Sequence, residues 1–92
     1  MHGRSLDGPL QRGPVLWRRS GDQVLIRRRG DDRLTVLAGT GVALWDALDT
    51  PSTIDALATE FAAAHDAAVD TVTADLRQAL EALVDAGIVV TR

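Results

Sequence analysis

Three successive segments of this chain repeat apolar residues at helical spacing, and this rhythm constrains the fold more than any other feature of the sequence. The clearest stripe recurs at positions i, i+3, i+4 and i+7 and consists of Ile54, Leu57, Ala58 and Phe61. It predicts an amphipathic helix that ends near His65. The preceding residues 52–55, Ser-Thr-Ile-Asp, have the spacing of a capping box, in which side chains at both ends satisfy free backbone amides.

The segments on either side of this helix predict two more helices. Thr40 is expected to be the N-cap of a short helix over residues 41–48, with Leu44, Trp45 and Leu48 on its apolar face. Asp70 is expected to cap a longer helix over residues 70–86, whose apolar face consists of Val72, Leu76, Ala79, Leu80 and Leu83. Gly87 stands where a helix end usually requires a left-handed residue, and the β-branched residues 88–90 predict a short strand or wing.

The part of the chain before the helices is rich in strand-forming residues. Segments 14–19 and 23–28 flank a Ser-Gly-Asp turn and predict a hairpin. A second turn over residues 29–32 leads to a third short strand over residues 33–37. Along that strand, Leu34 and Val36 share one face, and the opposite face carries Arg33, Thr35 and Leu37.

These elements predict an α+β fold, in which a three-stranded antiparallel sheet precedes three helices and a short C-terminal strand. This order is that of a small winged helix-turn-helix. Residues 1–13 contain several glycines and few periodic apolar residues, so we expect a flexible N-terminal arm followed by one domain over residues 14–92. A chain of 92 residues has room for one domain.

Composition excludes several functional classes. The chain has no cysteine, so it has no disulfide, thiolate metal site or cysteine nucleophile. Its two histidines, His2 and His65, are too far apart in the sequence to suggest a metal-ligand pair, and no cofactor is expected. No segment approaches the roughly 20 apolar residues that span a bilayer, and the N-terminus lacks an apolar signal core. We therefore expect a soluble, cytoplasmic protein.

The charged residues are distributed unevenly along the chain. Residues 1–39 carry a formal charge of +4, and residues 40–92 carry −7. The predicted sheet is therefore basic and the helical part acidic.

A series of residues across the predicted sheet and helices resembles the PqqD-like family. The series, which covers roughly residues 15–90, comprises Leu37, Ala43, Trp45, Leu48, Asp49, Pro51, Thr53, Leu57, Asp75, Leu76, Leu83 and Gly87. One departure is Ala38, where many relatives carry Asn; Thr40 is expected to take over the capping role. The resemblance implies a recognition element for ribosomally made precursor peptides, which acts in natural-product biosynthesis without chemistry of its own. Such a domain binds the leader segment of the precursor and presents the peptide to a modifying enzyme, often a radical SAM protein.

The resemblance also implies where the leader binds. The leader would add as a strand to the free edge formed by Arg33, Leu34, Thr35, Val36 and Leu37. The helix wall of the adjoining groove would come from Asp75, Leu76, Ala79, Leu80 and Leu83. The small Ala79 would leave space for an apolar leader side chain. Arg33 and the run 27–29, which is Arg-Arg-Arg, could steer an acidic leader toward this edge.

Each of these assignments has a competing interpretation. Leu76, Leu80 and Leu83 also fit an ordinary helix core, and Asp75 also fits a solvated acid near a helix N-terminus. The arginine run also fits a solvated strand end, and Trp17, unlike the core candidate Trp45, is expected to be half exposed.

Three other functional classes remain open at this point. A DNA-binding winged helix would use the third predicted helix, which carries four acidic residues and one arginine and so has the wrong charge for phosphates. A small adaptor could dock a larger protein through Trp17 and the sheet, and an unpaired strand edge also permits a homodimer. An enzyme is the least favoured class, because no nucleophile, base and orienting group come together.

Overall fold

The computed structural model describes residues 6 and 8–91, and this part of the chain forms five strands and three helices. The elements, in chain order, are β1 (Leu10–Arg12), β2 (Val15–Ser20), β3 (Gln23–Arg28), β4 (Thr35–Leu37), α1 (Thr40–Ala47), α2 (Ile54–His65), α3 (Val69–Asp85) and β5 (Val89–Thr91). The fold is α+β, as predicted. The more specific winged helix-turn-helix assignment stays a prediction.

The predicted antiparallel sheet is present, with strands in the order β2-β3-β4. Gly21 lies at the tip of the predicted hairpin with φ of 61°, a left-handed conformation that glycine adopts without steric strain. β4 begins at Thr35, two residues later than predicted, so Arg33 and Leu34 lie before the strand. The predicted alternation holds inside β4: Val36 is 47% exposed, and Leu37 is buried.

The structure corrects the flexible arm predicted over residues 1–13. Residues 10–12 form β1, which pairs antiparallel with β5 in a separate two-stranded sheet. Leu10 is buried in the core, and its backbone exchanges hydrogen bonds of 2.8 and 2.9 Å with Ser52. Leu6 is buried as well. The remaining residues predicted to be flexible include 1–5 and 7, which lie outside the described residues.

The three predicted N-caps are each displaced in the structure. The cap of α1 is Gly39 and not Thr40, and no side chain bonds to the free amides there. The cap of α2 is Thr53, whose hydroxyl accepts a 3.1 Å hydrogen bond from the amide of Ala56, so the capping box predicted over residues 52–55 is wrong by one residue. Ser52 instead pairs with Leu10 of β1, and α2 begins at Ile54, directly after Thr53.

The ends of α3 give one correction and one confirmation. Its N-cap is Ala68, and Asp70 lies inside the first turn, where its charge still favours the positive end of the helix dipole. At the other end Gly87 has φ of 76°, as the sequence predicted. The amides of Gly87 and Ile88 donate to the carbonyls of Val84 and Leu83, at 3.0 and 2.9 Å. This is a Schellman arrangement, which turns the chain sharply into β5.

One hydrophobic core lies between the inner face of the β2-β3-β4 sheet and the helices. Val24 and Ile26 of β3 are buried there, and Trp45 of α1 is fully buried. Trp17, which is 42% exposed, contacts the Trp45 ring edge-to-face at 5.5 Å between centroids. The contrast predicted between a core Trp45 and a half-exposed Trp17 is confirmed.

Candidate functional site

The edge of β4 is the first component of the candidate site. Within the described residues, β4 pairs only with β3, so its other edge has no neighbouring strand. Thr35 lies opposite Ile26, and Val36 lies opposite Leu25. Because cross-strand partners share a face, Thr35 belongs to the inner face beside the core, and Val36 belongs to the opposite face. Unpaired backbone groups at such an edge can pair with another extended chain.

A groove of about 260 Å³ adjoins this edge. One side of the groove comes from the β4 segment and the β3–β4 turn, and the other from the end of α3 and the residue that begins the return to β5. Its lining consists of Ile26, Arg28, Asp31, Arg33, Thr35, Asp85, Ala86 and Ile88. The fold thus places two of the five predicted edge residues, Arg33 and Thr35, opposite the C-terminal end of α3.

Arg28 holds the two sides of the groove together. Its Nη1 donates a 3.0 Å hydrogen bond to the carbonyl of Ala86, at the negative end of the α3 dipole. Its Nη2 lies 3.9 Å from the carboxylate of Asp31, whose other oxygen accepts a 2.9 Å bond from the amide of Arg33. All four arginines at positions 27, 28, 29 and 33 are exposed, but only Arg28 has a side-chain contact to α3 within the described residues.

The predicted residues of α3 separate into two groups. Leu76 and Leu80 are 2% and 0% exposed and belong to the core, in agreement with the competing interpretation. Asp75 is exposed. Ala79 and Leu83 are partly buried and form one stripe with Val72 and Ala86, at spacings of seven, four and three residues.

This partly buried stripe leads along α3 to the groove. Its last member, Ala86, lines the groove together with Thr35. Asp85, Ala86 and Ile88 were not predicted as site residues, and Arg28 was predicted only to help steer an acidic leader. Ala86 could have been found from its position seven residues after Ala79, which places both on one side of α3. The contact of Arg28 with α3 had no local signal, because 58 residues separate it from Ala86.

Two further features bear on function. No group of three or more acidic or histidine side chains is placed to hold a metal ion in the part of the chain that the structure describes. Across the same residues, no helix has the length and apolar character to cross a membrane.

Comparison with known proteins identifies the family. The sequence model of the family described as Coenzyme PQQ synthesis protein D (PqqD) matches residues 23–89 of the 92-residue chain. The chain belongs to the PqqD family. A search of curated proteins gave no match, and neither did a search of solved structures.

The PqqD match includes both components of the candidate site. It begins at the first residue of β3, includes β4 and the whole of α3, and ends at the first residue of β5. PqqD proteins are recognition elements for precursor peptides and work with the enzymes that modify those peptides. The family has a non-catalytic, accessory role. β1 and β2 lie outside the matched residues.

Proposed function

We propose that this protein binds the leader segment of a ribosomally synthesised precursor peptide as an additional strand on β4 and presents the peptide to a modifying enzyme. The observation that carries the proposal is the groove beside the free edge of β4, in which Thr35 faces Ala86 of the α3 terminus. Membership of the PqqD family supports a peptide as the ligand. The protein itself makes and breaks no covalent bond in this role.

The chemistry of the groove indicates what the leader carries. Main-chain hydrogen bonds to β4 give affinity for any extended peptide, and alternate side chains of the added strand give specificity. The leader side chains that point toward the core side of the sheet would contact the stripe of Ala79, Leu83 and Ala86, whose side chains are apolar and partly buried. An apolar leader side chain would therefore bury its surface against α3, where the small methyl side chain of Ala79 leaves room for it.

The exposed arginines favour a leader with acidic residues. Arg33 borders the groove and Arg29 precedes it, and neither has an acidic partner within the described residues. Unpaired surface charges of this kind raise the rate of encounter with an oppositely charged ligand. Arg28 does not belong to this set, because it bonds to Ala86.

A titration with matched helix variants tests the proposal. We would measure the affinity of synthetic leader segments, taken from small reading frames encoded beside this protein, with duplex DNA as a second ligand. Ala79→Leu fills the space on the groove side of α3. Ala74→Leu makes the same change at an exposed position on the opposite side of that helix.

We expect Ala79→Leu to weaken leader binding by about tenfold or more, and Ala74→Leu to leave it unchanged. NMR shifts should fall on β4 and on the stripe of α3. Equal affinity for both variants would reject the groove as the binding site. Binding of DNA without binding of leader would assign the protein to transcription regulation, although the acids of α3 oppose phosphate binding.

A further inference from the structure

The face of the β2-β3-β4 sheet directed away from the helices is unusually apolar. We call this surface the outer face and define it by Leu16, Arg18, Leu25, Arg27, Leu34 and Val36. The strand register places Leu16 opposite Arg27, and Leu25 opposite both Arg18 and Val36. Leu34 lies two residues before Val36 and lines a shallow depression of about 310 Å³ with four of the others. The four apolar residues therefore form one continuous patch.

This patch is not part of the core. Leu16, Leu34 and Val36 are 44%, 58% and 47% exposed, while Val24 and Ile26 of the inner face are buried. An antiparallel sheet that has one face on a core normally presents polar residues on the other. Apolar residues on both faces indicate that something covers the outer face, because a contiguous exposed apolar patch typically marks an interaction site.

The arginines of the sheet divide in the same way. On the inner face, Arg19 and Arg28 each have an acidic partner, at 2.6 and 3.9 Å. On the outer face, Arg18 and Arg27 have no acidic partner among the described residues. Two arginines without an acidic partner among the described residues thus lie next to the exposed apolar patch.

This charge determines the kind of partner. A second copy packed face to face would bring the Arg18 and Arg27 side chains of both copies together without any acid, and such like-charge contacts are unfavourable. A complementary surface must supply carboxylates around an apolar centre.

We propose that the outer face docks the peptide-modifying enzyme, through a patch on that enzyme which carries apolar residues surrounded by Asp and Glu. This inference rests on the proposed function. The position of the outer face also supports this inference, because Val36 of that face is part of β4, the strand whose edge is proposed to bind the leader. An enzyme on the outer face would lie directly beside the bound peptide, while the groove on the inner side stays free to hold the leader.

The test uses changes on β2, two strands away from the leader-binding edge. The double variant Leu16→Ser with Arg18→Glu alters the outer face at exposed positions only. Arg77→Glu reverses an exposed charge on α3 and serves as the control. For each protein we would measure the affinity for the purified modifying enzyme encoded beside it, without peptide, and separately the affinity for the synthetic leader.

We expect the double variant to weaken enzyme binding by about tenfold or more and to retain leader affinity, with Arg77→Glu changing neither. Unchanged enzyme affinity in the double variant overturns the docking site. So does a wild-type protein that binds leader but no enzyme, an outcome that leaves the proposed function standing. A third outcome is a wild-type protein that binds the enzyme but not the leader, with enzyme affinity reduced in the double variant. This result would reject the proposed leader binding and support the outer face as the enzyme-docking site.

Analytical ultracentrifugation of the same proteins tests whether a second copy of this chain, and not an enzyme, covers the outer face. A wild-type dimer that the double variant converts to a monomer would show that a second copy covers the outer face, and would overturn the assignment to an enzyme. We expect wild-type protein and double variant to sediment alike.

Discussion

The guanidinium of Arg12 donates two hydrogen bonds, of 3.0 and 2.8 Å, to the carbonyl oxygen of Trp45. This carbonyl lies in the last turn of α1, where helix geometry leaves backbone oxygens without a partner. The same guanidinium lies 4.9 and 4.7 Å from the ring centroids of Trp17 and Trp45. Arg12 therefore caps the C-terminal end of α1 and connects β1 to that helix. β1 lies outside the residues that match the family model.

We predict that Arg12→Ala lowers the free energy of unfolding by about 2 kcal/mol, because charge-assisted hydrogen bonds and ring contacts are lost together. Urea denaturation followed by tryptophan fluorescence measures this change. Arg19→Ala is the control, since its ion pair with Asp46 is half exposed and is worth less than about 1 kcal/mol. Equal losses in the two variants would contradict a special role for Arg12.

We predict that Gly87→Ala destabilises the protein more than Gly30→Ala does. Both glycines have nearly the same left-handed φ, 76° and 78°, so each variant carries the roughly 1–2 kcal/mol strain of that conformation. A Cβ at position 87 would also lie 3.0 Å from Nη1 of Arg28, while at position 30 it would meet nothing within 4 Å. The displaced Arg28 would lose its bond to Ala86.

The expected difference between these two glycine variants is about 1 kcal/mol, the contribution of one hydrogen bond. Thermal or urea unfolding of both proteins under one set of conditions gives the comparison. If the two variants lose the same stability, Arg28 accommodates the added methyl group without cost, and its bond to Ala86 does not stabilise the groove.

The N-termini of α2 and α3 predict opposite effects of substitution. Thr53→Ala removes the side-chain cap of α2 and should lower stability by about 1 kcal/mol. Ala68→Ser supplies a hydroxyl at the N-cap of α3, where the backbone is already extended and no side chain bonds, and should raise stability by a similar amount. Melting temperatures measure both. A lower melting temperature for Ala68→Ser would show that the cap position is wrongly assigned.

Leader association should depend on charge beside the groove. Arg33→Glu should slow association at low salt, because Arg33 borders the groove without an acidic partner among the described residues. Arg77→Glu makes an equal change of charge on α3 and should leave the rate unchanged. Stopped-flow measurements at two salt concentrations test this, and a rate that is the same for both variants would exclude steering by Arg33.

The sequence by itself determined the types and order of most elements. Helical spacing predicted α2 and α3, and the hairpin of β2 and β3 was evident from β-branched and aromatic residues around a glycine turn. Gly87 marked the end of α3 correctly. These features depend on residues close together in the chain, whose apolar periodicity and backbone preferences are visible without knowledge of the fold.

Tertiary contacts decided the rest. Pairing with β5 made residues 10–12 of the predicted arm a strand, and the backbone of Leu10 also pairs with Ser52, just before the Thr53 cap of α2. Packing buried Leu76 and Leu80 and left Ala79 and Leu83 at the side of α3 that leads to the groove. None of this follows from periodicity, because a helical stripe indicates which side is apolar and not which neighbour covers each residue.

The contacts that depend most on the tertiary structure join residues far apart in the chain. Arg12 reaches Trp45 across 33 positions, and Arg28 reaches Ala86 across 58. Both arginines are ordinary strand residues in the sequence. Only the folded chain places one against the end of α1 and the other against the end of α3, because backbone carbonyls left free at helix ends attract whichever cation the fold brings within reach.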